Sequence, residues 1–250
     1  MLNYIRAELY RNFNRSYFWN LTGILSLLGL ALNVFFMANK NSLPDLGLNM
    51  IFTAAFGTLG MSVFFVLIIV DIVTAEEQKN STLKNVISLG FPRSKLVLSK
   101  IITTVILSLI SVTIILTIFF GSGIILLGLD GVTSEIVLNY LKRLLTTMTL
   151  CIGAISIGTF LAFAIKNNTA YSLVYVSIFL MTSTVIRVLS YFVSDKLMYL
   201  NNFLITKQIS KLMEEEVTIK TILSANGVGI IYAIVFILLT IILFKKKEIK

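Results

Sequence analysis

The chain has no histidine, one cysteine and two prolines in 250 residues, and only 13% of its residues are charged. Each scarcity excludes something. Without histidine there is no Ser-His triad, no imidazole general base and no His-based metal site. The lone Cys151 lies in an apolar run, so it forms no intrachain disulfide and is expected to pack. Soluble domains carry about 25% charged residues. Here 57% of residues are hydrophobic and the mean hydropathy is +0.93, so the chain reads as a membrane protein. No stretch of polar composition is long enough for a separate soluble domain. The first fifteen residues carry Arg6, Glu8, Arg11 and Arg15, and the apolar run after them is too long for a signal peptide core, so no cleaved leader is expected.

A helix needs about 20 apolar residues to cross the hydrocarbon. Six stretches qualify, at about 17–38, 51–75, 101–129, 144–165, 169–193 and 223–244. The expected fold is all-α: one polytopic domain over 1–250 with six transmembrane helices. The fourth and fifth spans are separated only by Lys166–Asn168 and form a tight hairpin. Gly121, Ser122, Gly123 and Gly128 mark the third span as a place for a bend or break.

The formal charge of +9 is a topology signal rather than a nucleic-acid signal. With both termini inside, the inner side holds thirteen bases and five acids, the outer side seven and seven, and Arg187 lies within a span. A multi-pass plasma-membrane protein with both termini cytoplasmic follows, with lipid as a partner and no nucleic acid. The outer pair Lys142–Arg143 breaks the rule locally.

Three segments are not spans. In residues 1–16, Leu2, Ile5, Leu9 and Phe13 fall near one helical face, with Arg6, Arg11 and Arg15 largely elsewhere. This predicts an amphipathic interfacial helix. Residues 194–222 hold Leu197, Leu200, Phe203 and Leu204, then Ile209, Leu212 and Met213, at helical spacing. They predict one or two amphipathic helices at the outer leaflet. Residues 76–100, "EEQKNSTLKNVISLGFPRSKLVLSK", form the longest polar stretch in the first half of the chain. Asn80 or Ser81 suits an N-cap, Leu83, Val86 and Ile87 share a face, Gly90 suits the C′ position, and Pro92 suits N1 of the next helix. An ordinary positively charged loop competes with this reading, but such a loop needs no capped helix with an apolar face.

Inside the spans, Asp71 and Arg187 are the charged residues, and intramembrane charges are functional candidates by default. Ala154, Gly158 and Ala162 repeat every fourth residue and form a small-residue seam for helix packing. There is no P-loop, no dinucleotide loop, no paired-cysteine site and no HExxH. Glu76–Glu77 invite comparison with the glutamate pair of intramembrane CAAX-type proteases, but those need histidine partners.

The arrangement resembles the ABC-2 type permeases over the whole chain. Its most specific part is the polar segment, where an acidic residue after the second span (Glu76 or Glu77) precedes Thr82–Leu83–Lys84, Pro92–Arg93–Ser94 and Lys100. Ser81 departs from the glycine usual in that family. The resemblance implies that Glu76, Glu77, Thr82, Leu83, Lys84, Val86, Ile87, Gly90, Pro92 and Arg93 form a coupling helix that docks into a separate ABC ATPase subunit. Residues Arg6, Leu9, Arg11, Phe13 and Arg15 would belong to a connecting helix beside it. It further implies two ATPase copies, a second permease (identical or homologous), and ATP and Mg on the ATPase, with no cofactor or metal on this chain. The substrate class it suggests is amphipathic, a peptide or antimicrobial peptide expelled from the membrane, as in lantibiotic immunity systems. Two other classes compete, a stand-alone secondary transporter or channel and a non-transporting scaffold or sensor. The first should show an inverted repeat or several midplane carboxylates, and neither is present in the sequence.

Overall fold

The computed structural model describes residues 1–39, 48–79, 83–88, 90–128, 132–214 and 217–246. Among these the chain is helical, without strands. Helix α1 (Leu2–Phe13) leads into α2 (Ser16–Ala38). Next come α3 (Leu48–Leu59), α4 (Ser62–Val70), a π turn (Asp71–Ala75), α5 (Glu76–Lys79) and α6 (Leu83–Ser88). The second half is built from α7 (Arg93–Leu127), α8 (Ser134–Ala164), α9 (Asn168–Phe192), a 3₁₀ segment (Asp195–Phe203), α10 (Ile205–Leu212) and α11 (Ile219–Lys246). Among the described residues five helices are long and apolar enough to cross a membrane, and the bent pair Met50–Leu59 with Ser62–Ala75 makes a sixth when taken as one broken span. The Asn167 side chain caps α9 by accepting from the Thr169 and Ala170 N–H groups at 2.9 and 3.2 Å, which closes the expected hairpin.

Helix α8 is the centre of the bundle. Its most apolar window is 61% buried, against 11–28% for the other four uninterrupted spans. Small residues bring its neighbours close. Ala154, Gly158 and Ala162 are buried, and a Cβ added at Gly158 would meet Tyr175 at 3.2 Å and Val70 at 3.3 Å. The seam therefore faces α4 and α9, and the Tyr175 hydroxyl donates to the Val63 carbonyl at 3.1 Å across it. A second seam meets α11. A Cβ at Gly229 would lie 2.6 Å from the Thr149 carbonyl oxygen, and one at Gly153 would lie 3.0 Å from that of Gly229. Helix α2 is peripheral and attaches to α7 through polar pairs. The Thr22 and Ser111 hydroxyls are 2.7 Å apart, and the Asn33 amide donates to the Phe119 carbonyl at 2.7 Å and the Ser122 hydroxyl at 2.8 Å. Hydrogen bonds of this kind hold helices together in lipid, where apolar contact supplies no hydrophobic drive.

Two expectations about bends are corrected. The second span is not continuous: it bends by 52° between Leu59 and Ser62. There the ladder tightens, with Met61 N–H donating to the Thr58 carbonyl at 3.0 Å, and Gly60 lies against Met213. The third span, expected to bend at its glycines, is one helix from Arg93 to Leu127. Gly123 serves close approach, since a Cβ there would collide with Ile51 of α3, whereas nothing approaches a Cβ at Gly121. The helix stops only at Gly128, with φ +81°.

The far end, opposite the termini, is strapped by α10. This helix buries Ile205, Gln208, Ile209 and Leu212, whereas the 3₁₀ segment buries nothing. Arg143 explains the local break in the charge pattern. Its guanidinium donates to the Leu212 carbonyl at 2.9 Å and to the Glu214 carbonyl, and lies 4.5 Å from the Phe56 ring centre. It caps the carbonyl end of α10, a favourable place for a cation. Gln208 ties α10 to α11 by accepting from the Ser224 hydroxyl at 3.2 Å.

The Gly229 contact predicts a specific sensitivity. Gly229→Ala is expected to destabilise the bundle by about 1–3 kcal/mol through overpacking, whereas nothing approaches a Cβ at Gly227 and Gly227→Ala should be neutral or stabilising. Thermal unfolding of both variants in detergent checks the pair, and equal melting shifts would refute the close crossing.

Candidate functional site

Both ends of the chain converge on one end of the bundle, and there the polar segment meets four other elements. Helix α6 carries Leu83 and Lys84 in its backbone, while Thr82 lies outside the described residues. Val86 and Ile87 are half-buried and pack on the main core, so the apolar face expected to point at a partner is used at least there to hold α6 to its own chain. Ser88, Gly90 and Pro92 are exposed. Gly90 has φ +80°, and its N–H donates to the Ile87 carbonyl at 2.9 Å, the left-handed stop expected at C′. Pro92 is the N-cap of α7, with extended ψ of 130°, one position outside the expected N1.

Two side chains fix this turn. Phe91 stacks on Tyr4 of α1, with ring centres 4.9 Å apart. Arg93 reaches the last turn of α11, donating to the Phe244 and Lys245 carbonyls, each at 2.9 Å, with its guanidinium 5.8 Å from the Phe244 ring centre. These bonds place Arg93 as a tie within the bundle. They satisfy carbonyls that a helix end otherwise leaves open.

Behind the turn lies a buried ion cluster. The Lys100 side chain is 0% exposed and donates to Glu8 at 2.8 Å, to Glu77, and to the Val73 carbonyl at 2.9 Å. Arg11 pairs with Glu8 at 2.7 Å and with Glu77, and Arg15 pairs with Glu76. The three cations and three carboxylates come from α1 and the residues just after it, the end of the second span and the start of the third. Val73 lies in the π turn, where the regular helical ladder is interrupted. The buried face of α1 is Ile5, Glu8 and Asn12, with Leu9 and Phe13 half-buried, whereas Leu2 and Tyr10 are exposed. The helix thus docks on protein through Ile5, Leu9 and Phe13 of the expected apolar stripe together with the polar residues Glu8 and Asn12, while Leu2 of that stripe stays exposed. Arg6 is exposed. Burial beside Glu8 holds the Tyr4 hydroxyl well above the usual phenol range, so it stays protonated.

The remaining expected residues lie elsewhere. Asp71 opens the π turn, half-buried, with its charge felt by Tyr171 of α9. Arg187 is exposed on α9, little more than a turn from the end of that helix at Phe192. Neither joins the ion cluster described above. The residues that sequence reasoning missed as site members are Glu8 and Tyr4. A signal existed in the spacing of Ile5, Glu8 and Asn12, which share a helical face. Lys100 at the lip of an apolar run also demanded a buried partner. Among the described residues no group of three or more acidic or cysteine side chains could hold a metal ion.

The arrangement is a set of charge-paired ties. Its exposed turn is carried by a buried charge cluster that joins three segments of chain. Comparison with known proteins bears on this site directly. The sequence model of the ABC-2 family transporter proteins matches residues 5–183, a range that includes α1 from Ile5 onward, the ion cluster and α6. No curated protein matches the chain.

The cluster predicts an asymmetric response to substitution. Lys100→Ala leaves Arg11 alone against two buried carboxylates and should cost about 3–5 kcal/mol, while Glu8→Leu, Glu77→Leu and Lys100→Met together remove the buried charges, leave only Arg11, which is 33% exposed, and should cost far less. Melting temperatures in detergent decide this, and a triple variant weaker than Lys100→Ala would contradict it.

Proposed function

The chain belongs to the ABC-2 transporter family, and from that premise we propose that it docks a separate ABC ATPase through α6 and the Gly90–Pro92 turn. As a family member it is the membrane-spanning component of an ABC transporter. The observation that carries the docking role is the turn at the termini end, where Ser88, Gly90 and Pro92 are exposed, anchored by Tyr4, Arg93 and Lys100 to three different elements. A segment held this way moves only with the helices it is tied to. Two ATPase copies bind ATP and Mg, close on nucleotide, and drive the paired permeases between two states. ATP supplies the free-energy difference and rigid-body motion carries it. The second permease is identical or homologous. Glu76 and Glu77 act through the ion cluster rather than by touching the ATPase. Thr82, Leu83 and Lys84 supply the docking contacts together with Ser88.

The termini end faces the cytoplasm on this reading, in agreement with the excess of bases there. The protein then sits in the plasma membrane and exports its substrate. An amphipathic peptide fits best, an antimicrobial peptide among such substrates, because long apolar faces of α2 and α9 are exposed and can flank an apolar route.

Co-expression with the products of neighbouring genes tests the reading, the expected result being an ATPase that co-purifies. Ser88→Arg and Leu83→Asp should reduce the co-purified ATPase at least tenfold, a loss of ~1.4 kcal/mol, with little change in melting temperature. Val86→Asp should lower both. Unchanged ATPase recovery in all three variants would sink the docking assignment.

A further inference from the structure

Away from this site, α8 and α11 part company as they run toward the far end. They are closest where Gly229 meets Thr149 and Gly153. Beyond that crossing they leave a groove of about 460 Å³ lined by Lys142, Leu145, Thr146, Thr149, Ile222 and Asn226. The α8 residues share one helical face and the α11 residues are one turn apart. Four of the six linings are polar, at the depth where the apolar parts of both spans begin. The two threonine hydroxyls donate within their own helix, Thr146 to the Lys142 carbonyl at 2.8 Å and Thr149 to the Leu145 carbonyl at 3.4 Å. The Lys142 ammonium and the Asn226 amide have no hydrogen-bond partner among the described residues.

A groove with a cation and a free amide as its donors selects a ligand that is anionic and rich in acceptors. Lys142 repels cationic headgroups. Leu145 is 63% exposed and Leu223, beside Ile222, is 67% exposed, so apolar surface borders the polar floor. A soluble anion would leave that surface uncovered, and an acyl chain covers it. We propose that the groove binds the phosphate headgroup of an anionic phospholipid from the far leaflet, with Lys142 pairing the phosphate and Asn226 donating to a phosphate or glycerol oxygen. Polar groups at a helix–lipid boundary require such partners, and basic pockets between spans are a recurrent way to hold acidic lipid.

Native mass spectrometry of the full chain with phosphatidylglycerol or phosphatidylcholine of matched chains tests this. The wild-type chain should retain phosphatidylglycerol preferentially. Lys142→Ala should weaken retention at least fivefold, the equivalent of about 1 kcal/mol for one lysine at an acidic lipid surface. Lys142→Arg should restore it, and Asn226→Leu should weaken it less. Lys196→Ala removes the same charge from the exposed 3₁₀ segment and should change nothing. Equal retention of both lipids, or equal loss in Lys142→Ala and Lys196→Ala, overturns the assignment. Competition by free glycerol phosphate as strong as by the lipid would make this a soluble-anion site and overturn it as well. A disulfide between two Lys142→Cys chains in native membranes would give the groove to a second copy, and the lipid assignment would fall with it.

Discussion

A fully buried ammonium sets the geometry of the termini end. Lys100 cannot remain charged at the lip of a span without partners, and the chain brings it two carboxylates and a carbonyl from two other segments. Glu8 ties it to α1, and Glu77 and Val73 tie it to the end of the second span. Replacing such a cluster by apolar side chains is often neutral or stabilising, so its contribution is better sought in register than in stability. It fixes the rotation of α1 against α7 and the position of the second span where the polar segment begins. The π turn takes part, because it places the Val73 carbonyl within reach of the ammonium.

The same principle recurs at both ends of the bundle with arginine in place of lysine. Arg93 covers the carbonyl end of α11, and Arg143 covers that of α10. Each also lies over a phenylalanine ring, Phe244 or Phe56. A planar guanidinium suits this task better than an ammonium, since it offers several donors and a face for stacking. The two arginines differ in sequence context, one in the basic polar segment at the termini end and the other at the far end, against the charge pattern expected from the sequence. They share a physical role. The long helix α11 connects them, tied to the polar segment at one end by Arg93 and to the α10 strap at the other by the Ser224–Gln208 bond.

How much of this was legible in the sequence depended on the range of the contact that decides each feature. The candidate spans were visible because they are hydrophobic runs of the length a helix needs to cross the hydrocarbon. The stop at Gly90 and the hairpin at Asn167 were visible because caps are local chemistry. The bend at Gly60 was hidden. Gly121, Ser122 and Gly123 form the stronger local signal, yet Gly123 accommodates Ile51, while Gly60 meets Met213 from a distant part of the chain. The polar part of the buried face of α1 was hidden for a related reason. Ile5, Leu9 and Phe13 of the apolar stripe do face protein, but the burial of Glu8 and Asn12 beside them depends on Lys100, far away in sequence. Arg143 looked like an exception to the charge rule until the carbonyls of α10 supplied its partner.

These ties limit how the polar segment can move. With α6 as the docking helix, a push on it is resisted by α1 through Tyr4 and Phe91, by α11 through Arg93, and by the core through Val86 and Ile87. Helices α7, α8 and α11 are unbroken through their spans, so they transmit displacement without absorbing it. The second span is different. It contains both the 52° bend near Gly60 and the π turn at Asp71–Ala75, two places where the regular ladder is already interrupted. It also leads directly into α5 and α6. Displacement at the polar segment therefore concentrates in the second span, where changing a bend angle costs fewer regular hydrogen bonds than bending an intact helix. The bend touches Met213 just beyond α10, which puts the compliant span in contact with the far-end strap. On the docking reading, displacement at the termini end reaches the far end along this interrupted span as well as along the unbroken helices.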